Sequence, residues 1–169
     1  MLRAPDGIVP LVGYREWSIR TESDGLSPRL LSLFHPTTWP HDRPFSAVCL
    51  RPITWPERVT PRVHEGVPDE SCQCGIYAFR RPEFESLNGA AGPKVRGIVF
   101  GWGRYVLGTL GWRTQFARLV ALLEPGDDPG DDPGPVGELA ERYRVEVIPH
   151  VEVIPHLERI AFLAGRPAT

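Results

Sequence analysis

The stretch KVRGIVFGWGRYVLGTLGWRTQFARLVALL, Lys94 to Leu123, decides how the rest of the chain is read. Its first half, Lys94 to Val106, is rich in β-branched and aromatic residues and reads as a long strand. Gly97, Gly101 and Gly103 interrupt it, and glycine inside a strand marks a bulge, a barrel corner or the close approach of another backbone. The second half opens at Gly111 and reads as a helix, Trp112 to Leu123, because Phe116, Leu119, Val120 and Leu123 recur at helical spacing while Arg113 and Arg118 are left to water. A curved strand with a helix packed across it points to an α+β fold: a curved, mainly antiparallel sheet or small barrel with one main packed helix and a metal-binding loop region.

Working outward, the residues before Lys94 alternate short β-like runs with turn chemistry. Leu11 to Arg20 reads as a strand ended by the Ser23-Asp24-Gly25 turn, Arg29 to Phe34 as a second, Phe45 to Leu50 as a third carrying Cys49, and Gly75 to Arg80 as a fourth. Between them, Pro36 to Pro44 is an extended loop with Trp39 pinned against the body, and Thr54 to Pro68 is irregular. After Leu123, the repeated Pro-Gly-Asp-Asp unit of residues 124–137 is too polar to order itself and reads as a mobile acidic surface loop. Its aspartates do not follow the calcium-loop spacing. Residues 138–165 then hold a short helix, Glu138 to Tyr143, a tandem VEVIPH hexamer at Val145 to His150 and Val151 to His156, and a closing helix, Leu157 to Ala164. An even repeat keeps the two faces of a strand in phase, so a local duplication can lengthen an edge strand or a loop without moving the core.

The chain has 169 residues and 41% hydrophobic content, which suits one domain spanning 1–169. No apolar run reaches the roughly 20 residues of a spanning helix, and the N-terminus, broken by Pro5, Gly7 and Pro10, lacks the apolar core of a secretory signal. The reading is a cytoplasmic protein without membrane association. Basic residues number 19 and acidic ones 21, which is no footprint of a dedicated nucleic-acid binder. Because Glu124, Asp127, Asp128, Asp131 and Asp132 crowd one loop, the remaining body is mildly basic, and nucleic acid stays a weak alternative to a protein or small-ligand partner.

The chemistry concentrates in residues 45–80. All three cysteines, Cys49, Cys72 and Cys74, lie there with His64 between them. An odd number of thiols does not make a disulfide framework in a reducing compartment. Three thiolates and one imidazole do make a complete tetrahedral set for zinc of the Cys3His type, and in a small irregular β-domain the free energy of metal binding becomes free energy of folding. The same four ligands suit a [2Fe–2S] cluster, which would make the chain an electron-transfer or redox-sensing protein. His64 is preferred as the nitrogen ligand because it is nearest to the Cys-x-Cys pair, with His41 next.

Enzymatic motifs are weak. His64-Glu65 followed by Cys72 and Cys74 departs from the zinc-deaminase pattern in the place of the glutamate, the cysteine spacing and the place of Pro68. Gly101, Gly103 and Gly108 do not form a phosphate-binding fingerprint, and no G-x-S-x-G elbow occurs. A closed four-ligand site favours structure over catalysis. Trp102 and Trp112, with Arg104 and Arg113 beside them, are expected to line a groove for a partner.

Ala47-Val48-Cys49, His64, the run CQCGIYA at Cys72 to Ala78, VRGIVFGWG at Val95 to Gly103 and Gly111-Trp112-Arg113 together resemble a family of uncharacterised bacterial proteins, mainly actinobacterial, with an A-x-C, histidine, C-x-C-G-I-Y-A pattern. The resemblance spans Gly13 to Leu123 and implies that Cys49, His64, Cys72 and Cys74 act as a unit. It implies no activity, and it does not extend to the acidic loop or the hexamer repeat.

Overall fold

The computed structural model describes residues 10–21, 27–34, 37–49, 66–82, 92–125 and 135–149. His64, the Ser23-Asp24-Gly25 turn, most of the Thr54 to Pro68 stretch, most of the acidic loop, the second hexamer and the closing helix lie outside the described residues. The elements run β1 (Leu11–Arg20), β2 (Arg29–Leu31), β3 (Phe45–Ser46), β4 (Ile76–Phe79), β5 (Lys94–Leu107), β6 (Gly111–Leu123), α1 (Val136–Tyr143) and β7 (Glu146–Ile148).

Four strands close on themselves. β1 pairs with β5 along one edge and with β4, at Tyr14 and Phe79, along the other; β5 and β4 each pair with β6. The result is a ring in the order β1, β5, β6, β4, antiparallel throughout, and the curved mainly antiparallel sheet expected from the sequence is what the chain forms. The free length of β1 takes β2, and the free length of β6 takes β3 and then β7, the last in parallel.

The packed helix is α1, not Trp112 to Leu123. That segment is β6, the longest partner of β5, and the reason for the difference lies in its ladder. The pairing steps past Val120 between Ile98 and Val99, and slips again between Trp102 and Tyr105. Each irregularity shifts the alternation of faces by one residue. Trp112, Ala117, Leu119 and Leu122 therefore face one core cluster, while Phe116, Val120, Ala121 and Leu123 face the other. A strand buried on both faces, bulged at Val120 and paired irregularly again opposite Trp102 to Tyr105, imitates a helical stripe, and the four residues that suggested one are split between the two sides of a sheet.

The interior explains the glycines. Trp112 lies across the ring, its indole Nε1 donating to Val12 O at 2.9 Å. A Cβ at Gly13 would come within 2.6 Å of that indole, as would one at Gly101. The strand glycines thus leave room for a ring that no larger residue would admit. Trp17, fully buried, fills the same cluster further along with Val95, Val99 and Leu119. On the opposite face of β5 and β6, Tyr14, Ile98, Phe100, Trp102 and Val120 form a second cluster. Glu16, 3% exposed, is buried near it and is neutralised by Arg96 at 3.3 Å and Lys94 at 3.8 Å.

Between its pairings with β4 and β2, that edge of β1 has no strand partner among the described residues, and Arg15 spans the break. Its guanidinium donates to Tyr77 O on one side and to Ser32 Oγ, at 3.2 Å, on the other, and lies 5.2 Å from the centre of the Trp39 ring. Burial lowers its pKa to about 10. Trp39 is pinned as its loop suggested, stacked on Phe45 at 5.0 Å and edge-on to Trp17 at 5.1 Å. Helix α1 caps this end by turning Val136, Leu139, Ala140 and Tyr143 inward. Tyr143 Oη accepts from Leu30 N at 3.1 Å and donates to Trp39 O at 2.9 Å. The first hexamer supplies β7, which extends the sheet as an added strand beside Ala121 to Leu123.

Candidate metal centre

The centre is built on one edge of β6. β3 pairs with Phe116 and Ala117, and β4 with Gly111 to Thr114, so the two short strands run in the same direction along that edge with Gln115 between them. Ala47 N donates to Gln115 O at 2.8 Å, which carries the chain beyond β3 towards Cys49. From the other side, the turn holding Cys72 and Cys74 leads into Ile76. β3 ends opposite Phe116 and β4 begins opposite Thr114, so the two meet at Gln115, and the segments that run on from their facing ends bring together thiols far apart in sequence.

The three Sγ atoms lie within 4.8 Å of one another. Those of Cys49 and Cys72 are 3.7 Å apart, far beyond a disulfide bond of about 2.05 Å; all three cysteines are free. A tetrahedral ion with metal–sulfur bonds of about 2.3 Å sets its sulfurs about 3.8 Å apart, so this pair already stands at the spacing of two ligands on one ion. Cys49 and Cys74 are buried, 4% and 9% exposed, and Cys72 is half-buried. Burial first, then the neighbouring Cys72 and Cys74 thiols, pushes the Cys49 thiol up to about 12. Cys49 thus resists ionising, and a divalent cation beside it would reverse that preference by favouring its thiolate. The cluster can hold a metal ion.

The turn is fixed by its carbonyls. Arg113 Nη1 donates to Cys72 O and, at 2.9 Å, to Cys74 O. Tyr77 Oη donates to Gln73 O at 2.7 Å. Before them, Asp69 Oδ1 accepts from Ser71 N at 2.9 Å and Ser71 Oγ at 2.6 Å, and Cys72 N donates to Asp69 O at 3.1 Å. Gly75, at φ 120°, takes the backbone from this turn into β4, against Pro68 and Arg113.

No family model, curated protein or solved structure matches the chain.

Of the predicted ligands, Cys49, Cys72 and Cys74 are brought together and His64 lies outside the described residues. His41 is placed elsewhere, exposed and edge-on to Tyr143 at 6.5 Å between ring centres. The four residues expected to line a groove have different surroundings. Trp102 is 7% exposed and stacks on Phe116 at 6.1 Å, and Trp112 is 4% exposed inside the ring. Arg104 is exposed, and Arg113 is half-buried under the cysteine turn. Tyr77 and Asp69 carry no signal of their own in the sequence. Their roles depend on which strand lies beside β4 and how the turn closes, and no spacing rule reports either.

Among the described residues, no helix is long and apolar enough to cross a membrane.

Proposed function

We propose that the chain is a non-enzymatic binding module stabilised by one zinc ion on Cys49, Cys72, Cys74 and His64, with a protein or small ligand as its partner. The observation that carries this reading is the convergence of three thiols, from two separate segments, to within 4.8 Å of one another. A closed Cys3His set leaves no coordination position for a substrate, which favours a stabilising ion over a reacting one. The exposed side chains of Val48 and Tyr77, 60% and 48% accessible, adjoin the ligands and offer apolar surface for a partner to cover.

A [2Fe–2S] cluster on the same ligands is the competing reading. It divides its ligands between two irons, whereas three sulfurs in mutual reach suit a single ion. Metal content after anaerobic purification separates the two. One zinc and no iron per chain is the expected result. Two irons with acid-labile sulfide and a visible absorption that bleaches on reduction would make this a redox protein instead.

A further inference from the structure

Arg113 does something at this centre that ligand spacing does not require. Cys72 and Cys74 stand two residues apart in the turn, and a single terminal nitrogen of Arg113, which carries two protons, donates to both of their carbonyls. The carbonyl between them, Gln73 O, is taken by Tyr77 Oη. All three carbonyls of the Cys-Gln-Cys turn are therefore held by side chains. Arg113 and Tyr77 are direct partners across the ladder from β6 to β4, and the guanidinium lies 6.0 Å from the centre of the tyrosine ring.

Two physical consequences follow. The turn cannot rotate its thiols away from Cys49 without breaking hydrogen bonds to a guanidinium, which are stronger than neutral ones. A divalent ion on three thiolates and a neutral imidazole also carries a net negative charge, and Arg113 places a permanent positive charge behind the turn that bears two of those thiolates. We infer that Arg113, assisted by Tyr77, is the positioning residue that sets the metal affinity of the Cys49, Cys72 and Cys74 centre, acting through the backbone of the turn rather than by touching the ion. This rests on the metal reading of the site.

The test is zinc affinity, measured by competition with a chromophoric chelator on the full chain, for the wild type, Arg113→Met, Arg113→Lys and Tyr77→Phe. Loss of an outer partner of a metal ligand weakens binding by about 10–100-fold, and Arg113→Met is expected in that range. Arg113→Lys keeps the charge but not the planar fork and should recover part of the loss, and Tyr77→Phe should fall below Arg113→Met in effect. Cobalt(II) supplies a readout that general destabilisation would not move. Its thiolate charge-transfer band, scaling with the number of bound thiolates, should weaken in Arg113→Met while the circular dichroism of the metal-free chains stays the same. If Arg113→Met does not fold, Arg113→Lys and Tyr77→Phe carry the test by the same affinities. Variants that all bind zinc as tightly as the wild type, with an unchanged cobalt spectrum, overturn this inference alone. A wild-type chain that takes up neither metal overturns the reading of the centre, and this inference with it.

Discussion

The ring interior and the cysteine edge share strand β6, yet different forces hold them. Inside the ring, Trp112 and Trp17 are buried against strands thinned to glycine at Gly13, Gly97 and Gly101, and the stabilisation is apolar area and close packing. At the edge, β3 contributes two paired residues and β4 four, too few to hold a position by themselves. What organises the edge is polar: Arg113 and Tyr77 on the carbonyls, Asp69 in the preceding turn, and three thiols suited to a cation. The same strand thus anchors a region that is stable by burial and one that depends on a ligand.

The comparison would break first at Trp112. Trp112→Ala should cost about 3–5 kcal/mol of stability, seen as a lower urea midpoint, while zinc stoichiometry stays unchanged in the folded protein. Loss of metal binding in the folded variant would mean that the ring and the edge are one cooperative unit.

Zinc is expected to act from the other side. At a thousand times its dissociation constant it should add about 4 kcal/mol. Chelation should release hydrogen-exchange protection at Ala47, Cys72 and Ile76 before that at Ile98 and Leu122. Uniform loss of protection would contradict the division. Acid should have the same effect as a chelator, because protons compete for the thiolates.

The smallest expected effect lies at the helix end of the ring. Tyr143→Phe leaves Leu30 N and Trp39 O without their partner, at a cost of about 1–3 kcal/mol. Tyr143 is raised from its ordinary value of 10.0, chiefly by burial. A folded value above the unfolded one gives stability that is complete below the unfolded value and is lost as pH rises through the folded one. Thermal melting should therefore fall more steeply above about pH 10 in the wild type than in Tyr143→Phe. Parallel curves would remove Tyr143 from the account.

Much of the architecture is legible in the sequence where period and turn chemistry agree. Leu11 to Arg20 reads as a strand with its observed bounds, and β5 to within one residue, because each alternates cleanly or carries strand-type residues between clear breakers. The reading fails at β6, where two irregularities in the pairing with β5 rephase the alternation and a strand buried on both faces takes on the spacing of a helix. The three thiols are legible as a unit because an odd set crowded into a short window cannot pair off into disulfides, whereas it does supply most of a tetrahedral shell. Arg15 and Arg113 are not legible as clasps. Each fills a place defined by a gap in, or a crossing of, the ladder, and only the pairing of distant strands reveals it.

The most direct test of the metal centre is X-ray absorption at the zinc edge of the purified protein. The account predicts one zinc with three sulfurs at about 2.3 Å and one nitrogen at about 2.0–2.1 Å. A shell of oxygen and nitrogen alone, or one that keeps all three sulfurs after Cys72→Ser, would contradict it.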